Sequence, residues 1–231
     1  ENHMRKVTIA LTILIILLIF FLSNITFNKG YQDLVSPLVK QEKVLGLNQW
    51  LPSSILGPQA NAPQISAKSG FFINTKNGQV LYAKNVHERL PLASLVKVMT
   101  VLIALEHKGM DERYVVSKRA SEMEPDEMIL LPGERLTLKE LLYGIFLISA
   151  NDAAEVLAEG TTSDRSGFLK LMNDKAKQLG MADSYFVNPT GLDEDSENSY
   201  STTYDMSILT RYLIRHYPEV VEISKTEHIY L

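Results

Sequence analysis

The sequence predicts an α+β fold, because one β-hairpin signal is followed by a run of about five helical segments. The 231 residues are 45% hydrophobic and 22% charged, which suits a folded domain with a core. These values exclude a disordered or fibrous chain. The length fits about one domain.

The hairpin is predicted where two β-rich runs flank a turn. Phe71–Ile73 and Val80–Tyr82 lie on either side of Thr75–Gly78, which contains an Asn-Gly pair. Asn-Gly between such runs is a strong short-range hairpin signal. A lone hairpin is not a stable sheet, so the chain needs more strands than its sequence pattern shows.

The helices are predicted from apolar periodicity, caps and glycine stops. Ser94 to Lys108 is apolar nearly all round, which indicates a helix buried on most sides. Thr137 and Glu140 form a capping box for the next helix. The remaining boundaries are a break near Ser149, a helix over Asp152–Glu159 before Gly160, a helix over Phe168–Leu179 before Gly180, a turn at Asn188–Gly191, and a helix over Thr203–His216 before Pro218.

The N-terminal part predicts a membrane anchor. Residues 7–27 are uncharged and follow Arg5 and Lys6, and at ~1.5 Å rise per residue they match a hydrocarbon core. Positive charge before the run places the N-terminus in the cytoplasm and exports the rest. We therefore expect residues 1–28 to form a cytoplasmic tip with an anchor or signal segment, 29–62 a Pro- and Gly-containing tether, and 63–231 the folded part.

Several function classes are disfavoured by what the sequence lacks. The net charge is −4, which gives no reason to expect nucleic-acid binding. There is no Cys, so thiolate catalysis, disulfides and zinc–cysteine sites are excluded. The five His are scattered, and the acidic clusters are better interpreted as solvated loops, so no metal site is expected. Nothing indicates an oligomer, and a monomer is expected.

Ser94 and Lys97 are the first candidate catalytic pair. Three residues apart at the start of a helix, they share one face. Burial lowers the pKa of a lysine, so a neutral Lys97 amine could take the proton of the Ser94 hydroxyl. Free backbone N–H groups at the helix N-terminus could stabilise an oxyanion. The alternative is a simple N-cap serine with a lysine reaching solvent.

Ser149 and Asn151 are the second candidate pair, at the junction between two helices. Ser149 follows the apolar run Gly144–Ile148, so we expect it to be buried, and buried polar groups need partners. A cleft would provide such partners. The alternative is a structural cap between two helices.

These motifs together resemble the D-alanyl-D-alanine carboxypeptidases, the low-molecular-weight penicillin-binding proteins. S-x-x-K corresponds to Ser94–Lys97 and the second motif, S-x-N, to Ser149–Asn151. Further family-like stretches, in consistent order from about Ala62 to the last residue, are Leu131–Glu134, Met172–Asn173, Leu179–Met181 and Asn188–Leu192. The resemblance implies a serine β-lactamase/transpeptidase-like fold, a helical region beside an antiparallel sheet.

The resemblance also implies roles and partners. Ser94 would attack the carbonyl between two terminal D-Ala residues of a peptidoglycan stem peptide, with Lys97 as general base. Ser149 would relay a proton to the leaving amine, and Asn151 would hydrogen-bond the substrate backbone. No metal or organic cofactor is implied, and β-lactam antibiotics would acylate Ser94. The enzyme would sit in the cell membrane with its catalytic domain on the cell-wall side.

The third family motif, K-T-G, is missing. The only Lys-Thr pair is Lys225-Thr226, which is followed by Glu227 and is interpreted as coincidence. In the family this motif lies on a later strand that forms one wall of the cleft. We therefore expect 63–231 to be the N-terminal part of the domain, lacking its C-terminal strands.

Three alternatives remain at this point. The missing motif favours a non-catalytic, membrane-anchored binding or regulatory module. A class A β-lactamase shares S-x-x-K, but it usually carries S-D-N and a deacylating Glu that has no counterpart here. The third alternative is a membrane-tethered helical scaffold in which the motifs occur by chance.

Overall fold

The computed structural model describes residue 52 and residues 63–162, 164–193 and 198–230. Within these ranges, six α-helices pack with three two-stranded antiparallel sheets. The strands are β1 Gly70–Ile73, β2 Val80–Lys84, β3 Leu90–Pro91, β4 Arg113–Val115, β5 Arg135–Thr137 and β6 Tyr200–Ser201. The helices are α1 Val96–His107, α2 Leu138–Ile148, α3 Asn151–Thr161, α4 Arg165–Gln178, α5 Thr203–His216 and α6 Glu219–Ser224.

Helix α1 is the centre of the helical region. It packs against α3, α4 and α5, so it has protein on most sides. Its side chains from Val96 to Leu105 are buried apart from Val98, as its nearly continuous apolar sequence predicts. Two polar side chains, Lys97 and Thr100, lie in this buried set. Because buried polar groups need hydrogen-bond partners, these two positions restrict what can pack against α1.

The predicted hairpin is confirmed as β1 and β2. The strands pair antiparallel, with Phe72 opposite Tyr82. The connecting turn is closed by backbone hydrogen bonds from Asn74 to Gln79 and from Gly78 to Asn74, both 2.8 Å long. Gly78 has φ of 76°, a left-handed conformation that favours glycine. One face of the hairpin rests on α5, which connects it to the helical region.

Two further small sheets were not predicted from the sequence. Strand β4 pairs with β5, and β3 pairs with β6, whose residues lie more than a hundred positions further along the chain. Strands of two or three residues are too short to show an alternating pattern, so periodicity could not find them. Helix α6 is not predicted from the sequence either, because a proline after a helical pattern indicates only that the helix ends. Pro218 instead occupies the N-cap of α6, since proline is well tolerated where a helix begins.

Both ends of α2 form as predicted, with a capping box at its start and a break at Ser149. The Thr137 hydroxyl accepts a hydrogen bond from the Glu140 amide at 3.2 Å, and the Glu140 carboxylate accepts one from the Thr137 amide at 2.6 Å. This capping box starts α2. The helix ends at Ser149, whose φ of 61° is left-handed. The chain therefore turns sharply at Ser149 and begins α3 two residues later.

The expected anchor over residues 7–27 and the tether over 29–62 lie outside the described residues, apart from Pro52. Within the part of the chain that the structure describes, none of the helices combines the length and the apolar character needed to cross a bilayer.

We predict that Thr137→Ala lowers the free energy of unfolding by about 1 kcal/mol, because it removes the acceptor for the Glu140 amide. Denaturant unfolding followed by circular dichroism measures this change. Thr75→Ala is the control, since Thr75 is exposed in the hairpin turn, and its effect should stay within about 0.5 kcal/mol. Equal losses in both variants would contradict the capping role.

Candidate active site

Ser94 lies in a short 3-10 turn, Ala93–Leu95, between β3 and α1. The preceding backbone is fixed by the β3–β6 pairing and by a hydrogen bond from the Leu92 amide to the Ser199 carbonyl at 3.0 Å. Ala93 adopts a left-handed φ of 45°, an unfavourable conformation for alanine. The Ser94 side chain is exposed, and the N-cap positions of the 3-10 turn and of α1 are Leu92 and Leu95 rather than Ser94. The structure therefore does not support the interpretation of Ser94 as a simple cap.

Lys97 lies one turn further along, and it does not reach solvent. Its residue exposure is 3%. The Nζ atom donates to Ser94 Oγ at 3.1 Å, to Ser149 Oγ at 3.4 Å and to the Thr190 carbonyl at 2.9 Å. Lys97 thus connects the two sequence motifs, and it also contacts a third segment, the turn at 188–191.

Burial lowers the pKa of Lys97 from 10.5 to about 8, against the opposing effect of the negative charge of Asp126. Desolvation disfavours the ammonium form, as the apolar sequence of α1 predicts. A substantial fraction of the amine is consequently neutral near pH 8. A neutral amine 3.1 Å from a serine hydroxyl can act as a general base.

Ser149 reaches this cluster because of the left-handed turn that ends α2. Its side chain is partly buried rather than fully buried, so it borders both the lysine and the surface. A hydroxyl is both donor and acceptor, and it can pass a proton between Lys97 and a group outside the protein. The sequence places Ser149 at a helix break, but the contact with Lys97 depends on how α2 packs.

Asn151 is the first residue of α3 and is 2% exposed. Its backbone N–H donates to the Asp126 carbonyl at 2.7 Å, and its side-chain Nδ2 donates to the Pro125 carbonyl. Among the described residues, Oδ1 has no hydrogen-bond partner. The hydrogen bond to Pro125 therefore fixes the amide group and leaves Oδ1 as its unused acceptor.

The turn at 188–191 contacts the site residues, a role that its own sequence does not indicate. The Pro189 carbonyl accepts a hydrogen bond from the Thr100 hydroxyl at 2.6 Å, and the next carbonyl, of Thr190, accepts from Lys97. Asn188 Oδ1 in turn accepts from the Gly191 amide at 2.6 Å. The turn thus satisfies both buried polar side chains of α1. Its Asn-Pro-Thr-Gly sequence signals a turn, but nothing in it reveals the partner.

Glycine is required at position 191 because the turn closely approaches the backbone of Ala93 and Ser94. Its φ is 87°, and a Cβ at this position would overlap the Ala93 carbonyl and lie 3.0 Å from the Ser94 amide nitrogen. Only a residue without a side chain allows the turn to contact the backbone that carries Ser94.

Lys225, by contrast, is exposed and pairs with Glu222 at 2.8 Å, at the end of α6. This local ion pair agrees with the interpretation of Lys225-Thr226-Glu227 as a coincidental match.

We predict that Gly191→Ala lowers the free energy of unfolding by about 3 kcal/mol or more, because it adds a steric clash to an unfavourable φ. Gly133→Ala is the matched control. Its φ of 85° is similar, but among the described residues no atom lies within 4 Å of the added Cβ. The free energy of unfolding of the Gly133→Ala control should fall by only about 1–2 kcal/mol. Thermal and denaturant unfolding measure both, and equal losses would show that the contact with Ala93 is unimportant.

Comparisons with known proteins identify the family of the chain. The family described as D-alanyl-D-alanine carboxypeptidase, peptidase S11, matches residues 57–231. The D-alanyl-D-alanine carboxypeptidase DacF of Bacillus subtilis is 41% identical over 170 residues, which are 71% of this chain and 43% of the relative. The chain therefore spans less than half the length of that relative.

Two solved structures show the same fold. Penicillin binding protein 6B from Escherichia coli has a TM-score of 0.70 and 26% identity, over 78% of this chain and 60% of the other. Penicillin-binding protein D2 from Listeria monocytogenes, in an ampicillin-bound form, has a TM-score of 0.64 and 31% identity. The match covers 72% of this chain and 68% of the other. The described residues thus form part of an α+β transpeptidase-like fold. Together with the sequence match, this shows that the chain belongs to the D-alanyl-D-alanine carboxypeptidase family, peptidase S11.

Proposed function

We propose that this chain carries the acyl-transfer centre of a serine-type D-Ala-D-Ala carboxypeptidase, which removes the terminal D-Ala from peptidoglycan stem peptides. The observation that carries the proposal is the buried Lys97 amine, 3.1 Å from Ser94 Oγ and 3.4 Å from Ser149 Oγ. A nucleophile beside a neutral base, with a second hydroxyl in reach, is the arrangement that acyl transfer to serine requires. Family membership adds the substrate class.

The proposed reaction begins with attack of Ser94 Oγ on the carbonyl between the two D-Ala residues. Lys97 accepts the hydroxyl proton. Ser149 passes a proton to the leaving amine as the C–N bond breaks, and free D-Ala departs. An ester on Ser94 remains. Water then attacks the ester carbonyl and gives a proton to Lys97. The bond between the acyl carbon and Ser94 Oγ breaks, the shortened stem peptide leaves with a new carboxyl group, and Lys97 returns the proton to Ser94 Oγ.

Asn151 would hydrogen-bond the backbone of the bound stem peptide. Its rigid hydrogen bonds to residues 125 and 126 support this role, because a fixed amide recognises a peptide with little loss of side-chain entropy. We assign no metal or organic cofactor to the reaction. β-Lactams would acylate Ser94 in the same way as the substrate and form a penicilloyl ester. The Listeria neighbour, recorded with ampicillin, supports this part of the proposal.

We further propose that residues 7–27 anchor the protein in the cytoplasmic membrane, with 29–62 as a tether and 63–231 on the cell-wall side. The uncharged run after Arg5 and Lys6 supports this orientation. We expect the folded part to be a monomer. Alkaline carbonate extraction of membranes tests the anchor: the full chain should remain in the pellet and a 63–231 chain should not.

A non-catalytic binding module is the competing function, because the sequence contains no K-T-G. Both functions keep the same fold, so they differ only in whether Ser94 reacts. Acylation of the chain by a β-lactam is therefore the deciding experiment.

We predict that ampicillin adds one covalent molecule to the full chain, observed by intact mass, and that Ser94→Ala abolishes the adduct. Ser224→Ala is the control, since Ser224 is an exposed serine at the end of α6. It should be labelled like the unmodified chain. Absence of an adduct would show that the chain is inactive as it stands, which is expected either of a non-catalytic module or of a centre that needs the strand carrying K-T-G. An adduct that survives Ser94→Ala would exclude Ser94 as the nucleophile.

We also predict that acylation depends on pH through Lys97, whose pKa is lowered to about 8. Below this value the amine is protonated and cannot accept the Ser94 proton, so the second-order rate constant should fall about tenfold per pH unit. Above it, the rate constant should level off. Stopped-flow acylation between about pH 6 and pH 9.5 measures the profile, and a flat profile over this range would exclude Lys97 as the titrating base.

A further inference from the structure

Asp152 is a buried carboxylate next to the proposed substrate-binding residue. It is the second residue of α3 and is 0% exposed. Its two oxygens accept hydrogen bonds from the Met128 amide at 3.0 and 2.9 Å, and one of them accepts from the Leu130 amide at 3.2 Å. The other oxygen accepts from the Ala153 amide at 2.7 Å. A buried charge needs such partners, and here they come largely from one segment of backbone, residues 125–130.

Segment 125–130 adopts a conformation that its own residues disfavour. Asp126 has φ of 55° and Ile129 has φ of 61°, and neither is glycine. This region is unfavourable for residues other than glycine, less so for aspartate and especially so for a β-branched side chain such as that of Ile129. The Ile129 side chain is 76% exposed, so its own packing does not compensate. Contacts from outside the segment must therefore hold this conformation: Leu130 is buried and Met128 packs against the core, and the hydrogen bonds to Asp152 fix the backbone of both residues.

The same segment supplies the acceptors that fix Asn151. The Pro125 carbonyl accepts from Asn151 Nδ2, and the Asp126 carbonyl accepts from the Asn151 amide at 2.7 Å. The segment is thus held at residues 128 and 130 by Asp152, and it holds Asn151 through residues 125 and 126. Asp152 and Asn151 are adjacent in sequence, but their contacts run through this segment.

We propose that Asp152 is a positioning residue for Asn151, because its carboxylate holds segment 125–130 in the conformation that orients the Asn151 amide. The functional meaning of this orientation rests on the proposed function, in which Asn151 binds the stem peptide. The physical coupling between Asp152 and Asn151 does not depend on that function, and the two can be tested separately.

Hydrogen exchange in the full chain tests the coupling. Asp152→Asn replaces one carboxylate oxygen, which accepts hydrogen bonds, with an NH₂ group, which can only donate them. This group would face backbone N–H groups, so at least one of the hydrogen bonds that hold the segment is lost. Exchange of the Met128, Leu130 and Asn151 amides should rise about tenfold or more, while amides in the centre of α1 keep their protection. Faster exchange at Met128 and Leu130 with no change at Asn151 would overturn the proposal.

Glu155→Gln is the matched control. Glu155 is on the same helix and equally buried, but its carboxylate pairs with Arg119 at 3.3 Å and with Arg165 at 3.0 Å. This variant should lower stability without selectively exposing the amides of residues 128, 130 and 151. The same selective pattern in Glu155→Gln would show that any lost buried charge on α3 has this effect, and the proposal would fail.

A double-mutant cycle on ampicillin acylation tests the functional part. Asp152→Asn should slow acylation about tenfold when Asn151 is present. It should have little further effect in an Asn151→Ala background, because both substitutions act through the Asn151 amide. Glu155→Gln should change the acylation rate by the same factor with and without Asn151→Ala. If Asp152→Asn also slowed acylation by the same factor in both backgrounds, the proposal would be overturned. If the unmodified chain forms no adduct, the proposed function fails, and the exchange pattern still decides whether Asp152 fixes Asn151.

Discussion

The buried amine of Lys97 is the group on which the arrangement of the site depends. Its three hydrogen bonds join the start of α1, the end of α2 and the turn at 188–191. These segments lie far apart in the sequence, so only tertiary packing brings their oxygen atoms around one nitrogen. A lysine buried without such partners would cost several kcal/mol, because its charge or its donors would be unsatisfied. Two of these partners, the hydroxyls of Ser94 and Ser149, are also groups of the proposed reaction.

Burial also has a chemical consequence. An exposed lysine is protonated at neutral pH and cannot accept a proton, whereas burial in α1 lowers the pKa of Lys97 to about 8. The negative charge of Asp126 opposes this effect and keeps the pKa from falling further. The apolar character of α1 therefore both stabilises the core and tunes the base, and one feature of the sequence serves stability and reactivity.

The beginning of α3 has a comparable structural role. Asn151, Asp152 and Glu155 are all buried, and each is held by groups outside the helix. Asn151 and Asp152 bind segment 125–130, whereas Glu155 binds Arg119 and Arg165. The apolar faces of α3 pack against α1 and α2, so its polar side chains tie surrounding loops to the core. The junction after Ser149 is thus fixed on both sides, which suits a site that needs defined geometry.

Local patterns predicted much of the fold. The Asn-Gly turn indicated the hairpin, the capping box indicated the start of α2, and the continuous apolar run indicated that α1 is buried. Each of these signals depends on neighbouring residues, which is why periodicity and capping rules could read them. Strands β3 to β6 and helix α6 were missed, because they are short and because the strand partners lie far away in sequence.

The sequence by itself determined the residue types and spacing of the site: a serine and a lysine one helical turn apart, and a serine and an asparagine at a helix junction. Tertiary structure alone decided that Lys97 Nζ reaches Ser149 Oγ, that the Thr190 carbonyl is its third partner, and that Gly191 lies against the backbone of Ser94. The physical reason is that a helix fixes contacts three or four residues apart, whereas hydrogen bonds between distant segments depend on how whole elements pack.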